Sequence, residues 1–245
     1  VDLSKNQTKF RIILIGAVAG VLILTRRDFV LIYLFSLVYL LIFFNIHYQK
    51  IIKIIMVSVI IVSPYLVRNY LAFDKVIVHS GLGYNVWKAY NPEAKVEGYY
   101  VESKKLKEKL KNVNKDIFYR INEDKIYLQQ AKEYISKDPK KYLNLFFKRV
   151  FSFYFVDLNS SQKNYYNFFH IYPNLILSIL SIFGLFVCKK KDRKFNYLVL
   201  IMISFVFIYS LFALLPRYKI YILPFQILLS LSFLEYLLHK LRIKN

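Results

Sequence analysis

Residues 195–221 read FNYLVLIMISFVFIYSLFALLPRYKIY, an apolar run that ends at a proline and two cations. A helix needs about 20 apolar residues to cross a hydrocarbon core of about 30 Å. The stretch 195–215 contains no Asp, Glu, Lys or Arg and is long enough for this. It therefore predicts a membrane-spanning helix, followed by a turn that places Arg217 and Lys219 at a membrane surface.

The composition of the whole chain also indicates a membrane protein. Of the 245 residues, 57% are hydrophobic and 18% are aromatic, yet the formal net charge is +21. A soluble domain of this length does not need so much apolar surface. A soluble nucleic-acid-binding protein with this charge would not contain long uncharged runs of Ile, Leu and Phe, so no nucleic-acid partner is expected.

Six apolar segments reach or approach the length of a spanning helix, which predicts an all-α integral membrane bundle that crosses the membrane several times. The first is short and begins near Arg11, whose side chain must extend to the headgroups. It also holds Gly16 and Gly20 in a GxxxG spacing, which predicts tight packing on another helix. The segments are 10–24, 29–46, 51–67, 171–188, 195–215 and 218–239.

Basic residues near the ends of these segments predict the orientation, because cytoplasmic loops retain Lys and Arg. They cluster before the first segment, after the second, after the fourth and at the end of the chain. Alternating spans put all four clusters on one side, which we expect to be the cytoplasmic side of a bacterial inner membrane. Residues 1–69 then form three spans, residues 70–170 form a long extracytoplasmic loop, and residues 171–245 form three more spans.

The 70–170 loop is too long for a simple connection, since connections have a median length of about 4–6 residues. Within it, HSGLGYNVWKAYNP (79–92) mixes glycine, asparagine and proline with aromatic residues and predicts an ordered loop rather than a helix. Its aromatic rings could stack on a sugar, and packing of the loop on the bundle is the alternative. The candidate substrate residues are Gly81, Gly83, Tyr84, Asn85 and Trp87.

Two amphipathic helices are predicted later in the same loop. Asn122 can cap the first, and Pro139 ends it and starts the second. The second, at about 140–155, is too short and too charged to span, and its pattern suits a helix that lies in the outer interface. Bracing of the spans is the alternative role for this helix.

Cations are predicted at three points of the outer surface, where Lys and Arg are disfavoured. Two of these points lie beside the N-terminus of a span, and such termini bind phosphate when arginine flanks them. We therefore expect an anionic ligand, a lipid phosphate or pyrophosphate. For each arginine the alternative is contact with headgroups or with an acid such as Asp28 or Asp74. The candidate donor-binding residues are Arg26, Arg27, Arg68, Arg217, Tyr218 and Lys219.

Other site chemistries are not indicated by the sequence. The four histidines lie at 47, 79, 170 and 239, without cysteine or carboxylate at ligand spacing, so no structural metal is expected and no cofactor is evident. Dependence on a divalent metal is left open. The phosphate-binding pattern GxxxxGK[ST] does not occur, which argues against ATP as the energy source.

Four stretches in this order resemble a known family: SPYLVRNY (63–70), HSGLGYNVW (79–87), NED with AKEYISKDPKKYL (122–143) and LPRYKIYILPF (215–225). They look like the later half of bacterial GT-C glycosyltransferases of the polyprenyl-phosphate-sugar type. This group is related to the protein O-mannosyltransferases and to the aminoarabinose lipid A transferase. The resemblance implies a membrane enzyme that moves a sugar from a polyprenyl-phosphate carrier to a glycan, lipid or protein acceptor outside the inner membrane.

The chain also departs from that family. The family's catalytic acid lies in the outer loop after the first span, and no such region is present here, so we assign no catalytic base. Val1 is not an initiator methionine, and we expect the chain to be the later part of a longer protein and inactive alone. The alternative function is a flippase or transporter of lipid-linked sugars, which would need polar groups along its spans.

Overall fold

The computed structural model describes residues 8–26, 28–78, 80–160, 167–187 and 192–242. These residues form helices and turns without a β-strand, apart from an isolated bridge between Lys95 and Gly98. The all-α prediction is confirmed. In chain order the helices are α1 (Thr8–Thr25), α2 (Asp28–Phe43), α3 (Tyr48–Phe73), α4 (Leu82–Tyr90), α5 (Lys104–Lys111), α6 (Tyr119–Lys137), α7 (Pro139–Tyr154), α8 (Phe168–Val187), α9 (Arg193–Ser210), a 3-10 helix (Pro216–Tyr221) and α10 (Leu223–Arg242).

Within the described part of the chain, three helices are long and apolar enough to cross a membrane, namely α3, α8 and α9. Helix α2 is apolar but shorter. The chain therefore has the helices of a membrane protein. The count of six spans, the bacterial inner membrane and the side on which each loop lies stay predictions.

The helices form two compact units. The first contains residues 1–81 and 113–123, and the second contains residues 82–112 and 124–245.

In the first unit, α1 packs closely on α3 because two glycines of α1 face it. A Cβ atom on Gly16 would lie 2.6 Å from the Cβ of Val57, and one on Gly20 would lie 2.7 Å from the Cβ of Ile61. Both distances leave no room for a side chain, so the prediction of tight packing at the GxxxG spacing is confirmed. The three helices α1, α2 and α3 share a buried cluster of Ile12, Leu37, Ile51 and Ile54.

In the second unit, α8 and α10 run in the same direction. The hydroxyl of Ser230 donates to the carbonyl of Leu177 at 3.1 Å, and farther along both helices the ring of Phe183 stacks on Phe233 at 5.2 Å. The helices touch at Gly184, where a Cβ atom would lie only 2.0 Å from the carbonyl oxygen of Leu229. Glycine is therefore required for this contact.

Helix α9 runs against α10. The ring of Tyr209 lies 4.9 Å from Tyr218, while the ring of Phe205, one turn earlier in α9, lies 6.3 Å from Phe225 at the start of α10. Helices α8, α9 and α10 therefore alternate in direction, as consecutive spans do.

The ends of two helices differ from the prediction. Helix α9 ends at Ser210 instead of reaching Leu215, and α10 begins at Leu223 rather than at 218. One reason is that the N–H of Leu214 donates to the carbonyl of Val96 at 3.0 Å and so leaves the helical pattern. The other is Pro224, which lacks an N–H and is favoured in the first turn of a helix.

The prediction of a loop at 79–92 is wrong, because residues 82–90 form α4. Its apolar face completes an aromatic cluster with α5 and α6, and such tertiary packing overrides the local turn signals. The buried members of this cluster are Trp87, Leu106, Leu110, Tyr127 and Ala131.

Candidate functional site

The PRYK residues lie in the 3-10 helix between α9 and α10, referred to below as the 216–221 turn. Leu215 precedes the turn in an extended conformation, and Pro216 occupies a first-turn position that does not need a backbone N–H. The hydrogen bond from the N–H of Leu214 to the carbonyl of Val96 holds the residues before the turn against the segment that follows α4. The cations thus belong to a separate turn and not to the N-terminus of α10.

The side chain of Lys219 binds the C-terminal end of α7. Its Nζ donates to the carbonyl oxygens of Tyr154 and Phe155, the latter at 2.6 Å, and to the hydroxyl of Ser178 at 3.3 Å. The last carbonyls of a helix lack intrahelical partners and attract cations. An ammonium has three donors, and all three are used here. We therefore reassign Lys219 from a phosphate contact to a cap of α7.

The environment of Lys219 also changes its acidity. The residue lies outside the helices that can span the membrane, and burial lowers its pKa from 10.5 to about 7. Its amine is therefore close to its titration point at neutral pH.

The end of α7 receives two further polar side chains. The carbonyl of Tyr154 also accepts from the hydroxyl of Ser178 at 2.8 Å and from the amide of Gln226 at 3.0 Å. Ser178 and Gln226 come from α8 and α10, so this carbonyl joins three helices to the 216–221 turn.

Arg217 has different surroundings, although it is only two residues from Lys219. Its side chain is exposed, and its guanidinium carbon lies 5.6 Å from the ring centroid of Tyr218. The Tyr218 ring packs in turn on Tyr209 at 4.9 Å. The planar guanidinium is therefore presented at the surface by a turn that is fixed beneath it, which suits an anion with two oxygens on one centre, such as phosphate.

A cavity of about 40 Å³ lies beside the 216–221 turn. This volume is large enough to admit a water molecule or a hydroxyl group. Its lining comes from the segment after α4, the end of α7, the start of α8 and the turn itself. The polar lining residues are Glu97, Ser152, Asp157, His170, Asn174 and Lys219.

Two carboxylates of this cavity are nearly buried. Glu97 and Asp157 each expose 8% of their surface, and one oxygen of Asp157 accepts the N–H of Asn159 at 3.0 Å. A carboxylate can take a proton from a hydroxyl group that reaches it. The cavity therefore combines candidate bases with an exposed arginine on the adjoining turn.

Arg149 is buried inside the same unit, with none of its surface exposed. Its guanidinium donates to the main-chain carbonyls of Ala89 at 2.6 Å, Lys95 at 3.0 Å and Val96 at 3.2 Å. Burial lowers its pKa to about 10. The arginine thus ties residues 89–96, and with them the wall of the cavity that contains Glu97, to α7.

Two of the other predicted cations, Arg26 and Arg68, lie in the first unit. Arg26 forms an ion pair with Asp28 at 2.7 Å, which is one of the alternatives expected from the sequence. Arg68 is exposed and lies within α3, with a weak contact of 3.5 Å to the side chain of Asn69. Arg27 lies outside the described residues. The convergence of these arginines with Arg217 stays a prediction.

The candidate substrate residues of 81–87 have structural roles. Gly81 has a φ of 90°, a left-handed conformation that favours glycine, and a Cβ on Gly83 would lie 1.9 Å from the carbonyl oxygen of Asp124. Trp87 exposes only 2% of its surface and packs near Tyr84, at 6.0 Å between ring centroids. The expectation that Trp87 offers its face to a sugar is therefore corrected, because its ring belongs to the core. A role for the half-buried Asn85 stays a prediction.

Sequence reasoning missed Glu97, Asp157, His170 and Asn174. The signal for the two acids was weak but present, since each stands in an apolar or aromatic context, KVEGYY and FYFVDL. Acidic side chains are rarely buried in such surroundings unless they have a partner. His170 and Asn174 share one face of α8 at a spacing of four residues, and the amide of Asn174 donates to the carbonyl of His170 at 2.7 Å.

Across the described ranges, no group of three or more His, Cys, Asp or Glu residues is arranged to hold a metal ion. Comparison of the chain with protein families, with characterised proteins and with solved structures gives no match.

Proposed function

We propose that the chain is part of a membrane glycosyltransferase that moves a sugar from a polyprenyl-phosphate carrier to an acceptor at the outer face of a bacterial inner membrane. The observation that carries the proposal is the pairing of an exposed Arg217, on a fixed turn beside membrane-type helices, with a small cavity that contains Glu97 and Asp157. The ordered resemblance of the four sequence stretches to GT-C enzymes supports the same class.

Each group has a distinct role in the proposal. Arg217 binds the carrier phosphate and stabilises the negative charge that grows on it as the bond to the sugar breaks. Glu97 or Asp157 accepts the proton of an acceptor hydroxyl that enters the cavity. Lys219 holds the turn on α7, so it supports the site without touching the donor.

Transfer of sugar from a defined polyprenyl-phosphate donor tests the role of Arg217. The full-length enzyme is compared with Arg217→Lys and Arg217→Ala at equal abundance in membranes. Loss of one charge-assisted contact costs about 1.5–3 kcal/mol, or roughly 10- to 100-fold in rate. The lysine variant should also be impaired, because an ammonium cannot make the bidentate contact.

Arg120→Lys and Arg120→Ala are the matched controls, since Arg120 is an exposed arginine of the other unit. They should keep the rate of the unchanged enzyme. Equal rates for all the Arg217 variants would show that this arginine is only an interfacial anchor. Movement of the intact donor across vesicles without sugar transfer would favour a flippase, the alternative function.

A further inference from the structure

Helix α7 has two apolar faces. One is buried and contains Tyr142, Leu145 and Phe153, which expose 5%, 8% and 3% of their surface. The opposite face carries a row of apolar residues at a spacing of four, which places them one above the other on a helix. This exposed row consists of Leu143, Phe147 and Phe151, at 57%, 60% and 60% exposure.

Helix α7 also crosses α9 at a steep angle. The ring of Phe146 lies 5.7 Å from Phe207, and the ring of Phe153 lies 5.6 Å from Tyr209. These partners are seven residues apart on α7, or about 10 Å, but only two residues apart on α9, or about 3 Å. Two helices that ran side by side would show equal spacings. Since α9 can span a membrane, α7 lies across its end.

The level of α7 follows from its partners. Tyr209 is in the last turn of α9, and the C-terminal carbonyls of α7 bind Lys219 of the 216–221 turn and Gln226 in the first turn of α10. Helix α9 is one of the helices that can cross a membrane, and such a helix ends near the membrane surface. The C-terminal end of α7 therefore lies where α9 ends and α10 begins, beside Ser178 of α8.

The charges of α7 fit one kind of partner. The helix contains Lys140, Lys141 and Lys148 and no acidic residue, and these lysines are exposed. Lysines beside an exposed apolar row are typical of helices that lie in the headgroup region of an anionic leaflet.

We propose that α7 lies in the plane of the membrane, with Leu143, Phe147 and Phe151 inserted in the lipid and Lys140 and Lys148 at anionic headgroups. The partner is the lipid surface itself. This inference stands on the geometry of α7 and does not rest on the proposed function.

Nitroxide labels test the proposal in the full chain, reconstituted in vesicles of phosphatidylethanolamine and phosphatidylglycerol. Cys188, the single cysteine, is replaced by serine, and one cysteine is introduced in turn at Leu143, Phe147 and Phe151. Collision rates with oxygen, which enriches in lipid, and with a water-soluble nickel chelate give the depth of each label. All three labels should lie at the same shallow depth within the lipid.

A label at Lys107→Cys, exposed on α5, gives the reference for a position in water. A label at Met56→Cys, exposed on α3, gives the reference for a helix that can span the membrane. If the nickel chelate reached labels in the exposed row as readily as a label at Lys107→Cys, the proposal would be overturned. So would a depth difference of about 12 Å between the labels at 143 and 151, which a spanning helix produces. Poor access to both reagents would show that protein covers the row, which also overturns it.

A change of lipid tests the charge part of the proposal. In vesicles of phosphatidylcholine alone the row should lie closer to water, because the lysines lose their anionic partners. Equal depths in both lipids would overturn the role of Lys140 and Lys148.

Discussion

Lys219 shows how one buried side chain couples stability to pH. Burial lowers its pKa to about 7, whereas the ordinary value is 10.5. Between these pH values the unfolded chain keeps the proton and the folded chain releases it. The free energy of unfolding should therefore rise with pH through this window, by at most about 1.4 kcal/mol per pH unit, and the gain is absent below pH 7.

Lys219→Met isolates this effect, because methionine keeps an unbranched apolar side chain and cannot titrate. Thermal unfolding in detergent should show the unchanged chain gaining stability relative to the variant as the pH rises from about 7 to about 10. Lys109→Met, at an exposed position of α5, should follow the unchanged chain. A constant difference between Lys219→Met and the unchanged chain at every pH would refute the lowered pKa.

At the scale of elements, the contact between α8 and α10 depends on one missing side chain. A methyl group at Gly184 would lie 2.0 Å from the carbonyl oxygen of Leu229, which belongs to the backbone and cannot move aside alone. Gly184→Ala must therefore separate the two helices. Overpacking of this kind costs about 1–3 kcal/mol, and the melting temperature of the chain in detergent should fall accordingly.

Phe186→Leu is the control for this helix, since Phe186 is 78% exposed on α8. It should leave the melting temperature unchanged. An equal effect of both substitutions would mean that α8 and α10 do not pack as closely as the structure shows.

At the scale of the whole molecule, the charge distribution predicts which side of the membrane each loop faces. With Cys188→Ser as background, a cysteine at Lys105 should react with an impermeant maleimide in intact cells. A cysteine at Lys194 should react only after permeabilisation, because the basic 189–194 run is expected to be cytoplasmic. The reverse pattern would invert the topology and remove the argument for an outward Arg217.

The sequence was most informative where the signal is local. Helix α7 was predicted to within a residue, because Asp138 caps it at 3.0 Å and Pro139 opens it. Helix α4 was missed, since burial of Trp87 against α5 and α6 overrides its glycines. Arg217 could be found from one motif. Glu97 and Asp157 could not be paired from the sequence, because only the packing of α4, α7 and the 216–221 turn brings these distant residues to one cavity.

The contacts of Arg149 determine which substitutions the neighbouring segment 89–96 can tolerate. Its guanidinium donates to the main-chain oxygens of Ala89, Lys95 and Val96, and it also lies 5.4 Å from the ring centroid of Tyr90. Every residue type carries a carbonyl, so exchanging these three side chains removes none of the three acceptors. Substitutions at the exposed Lys95 can therefore accumulate while the arginine keeps its contact there. Tyr90 and Asn91 are constrained instead, because the Tyr90 ring lies against the guanidinium and the Asn91 amide donates to the carbonyl of Tyr99 at 3.0 Å.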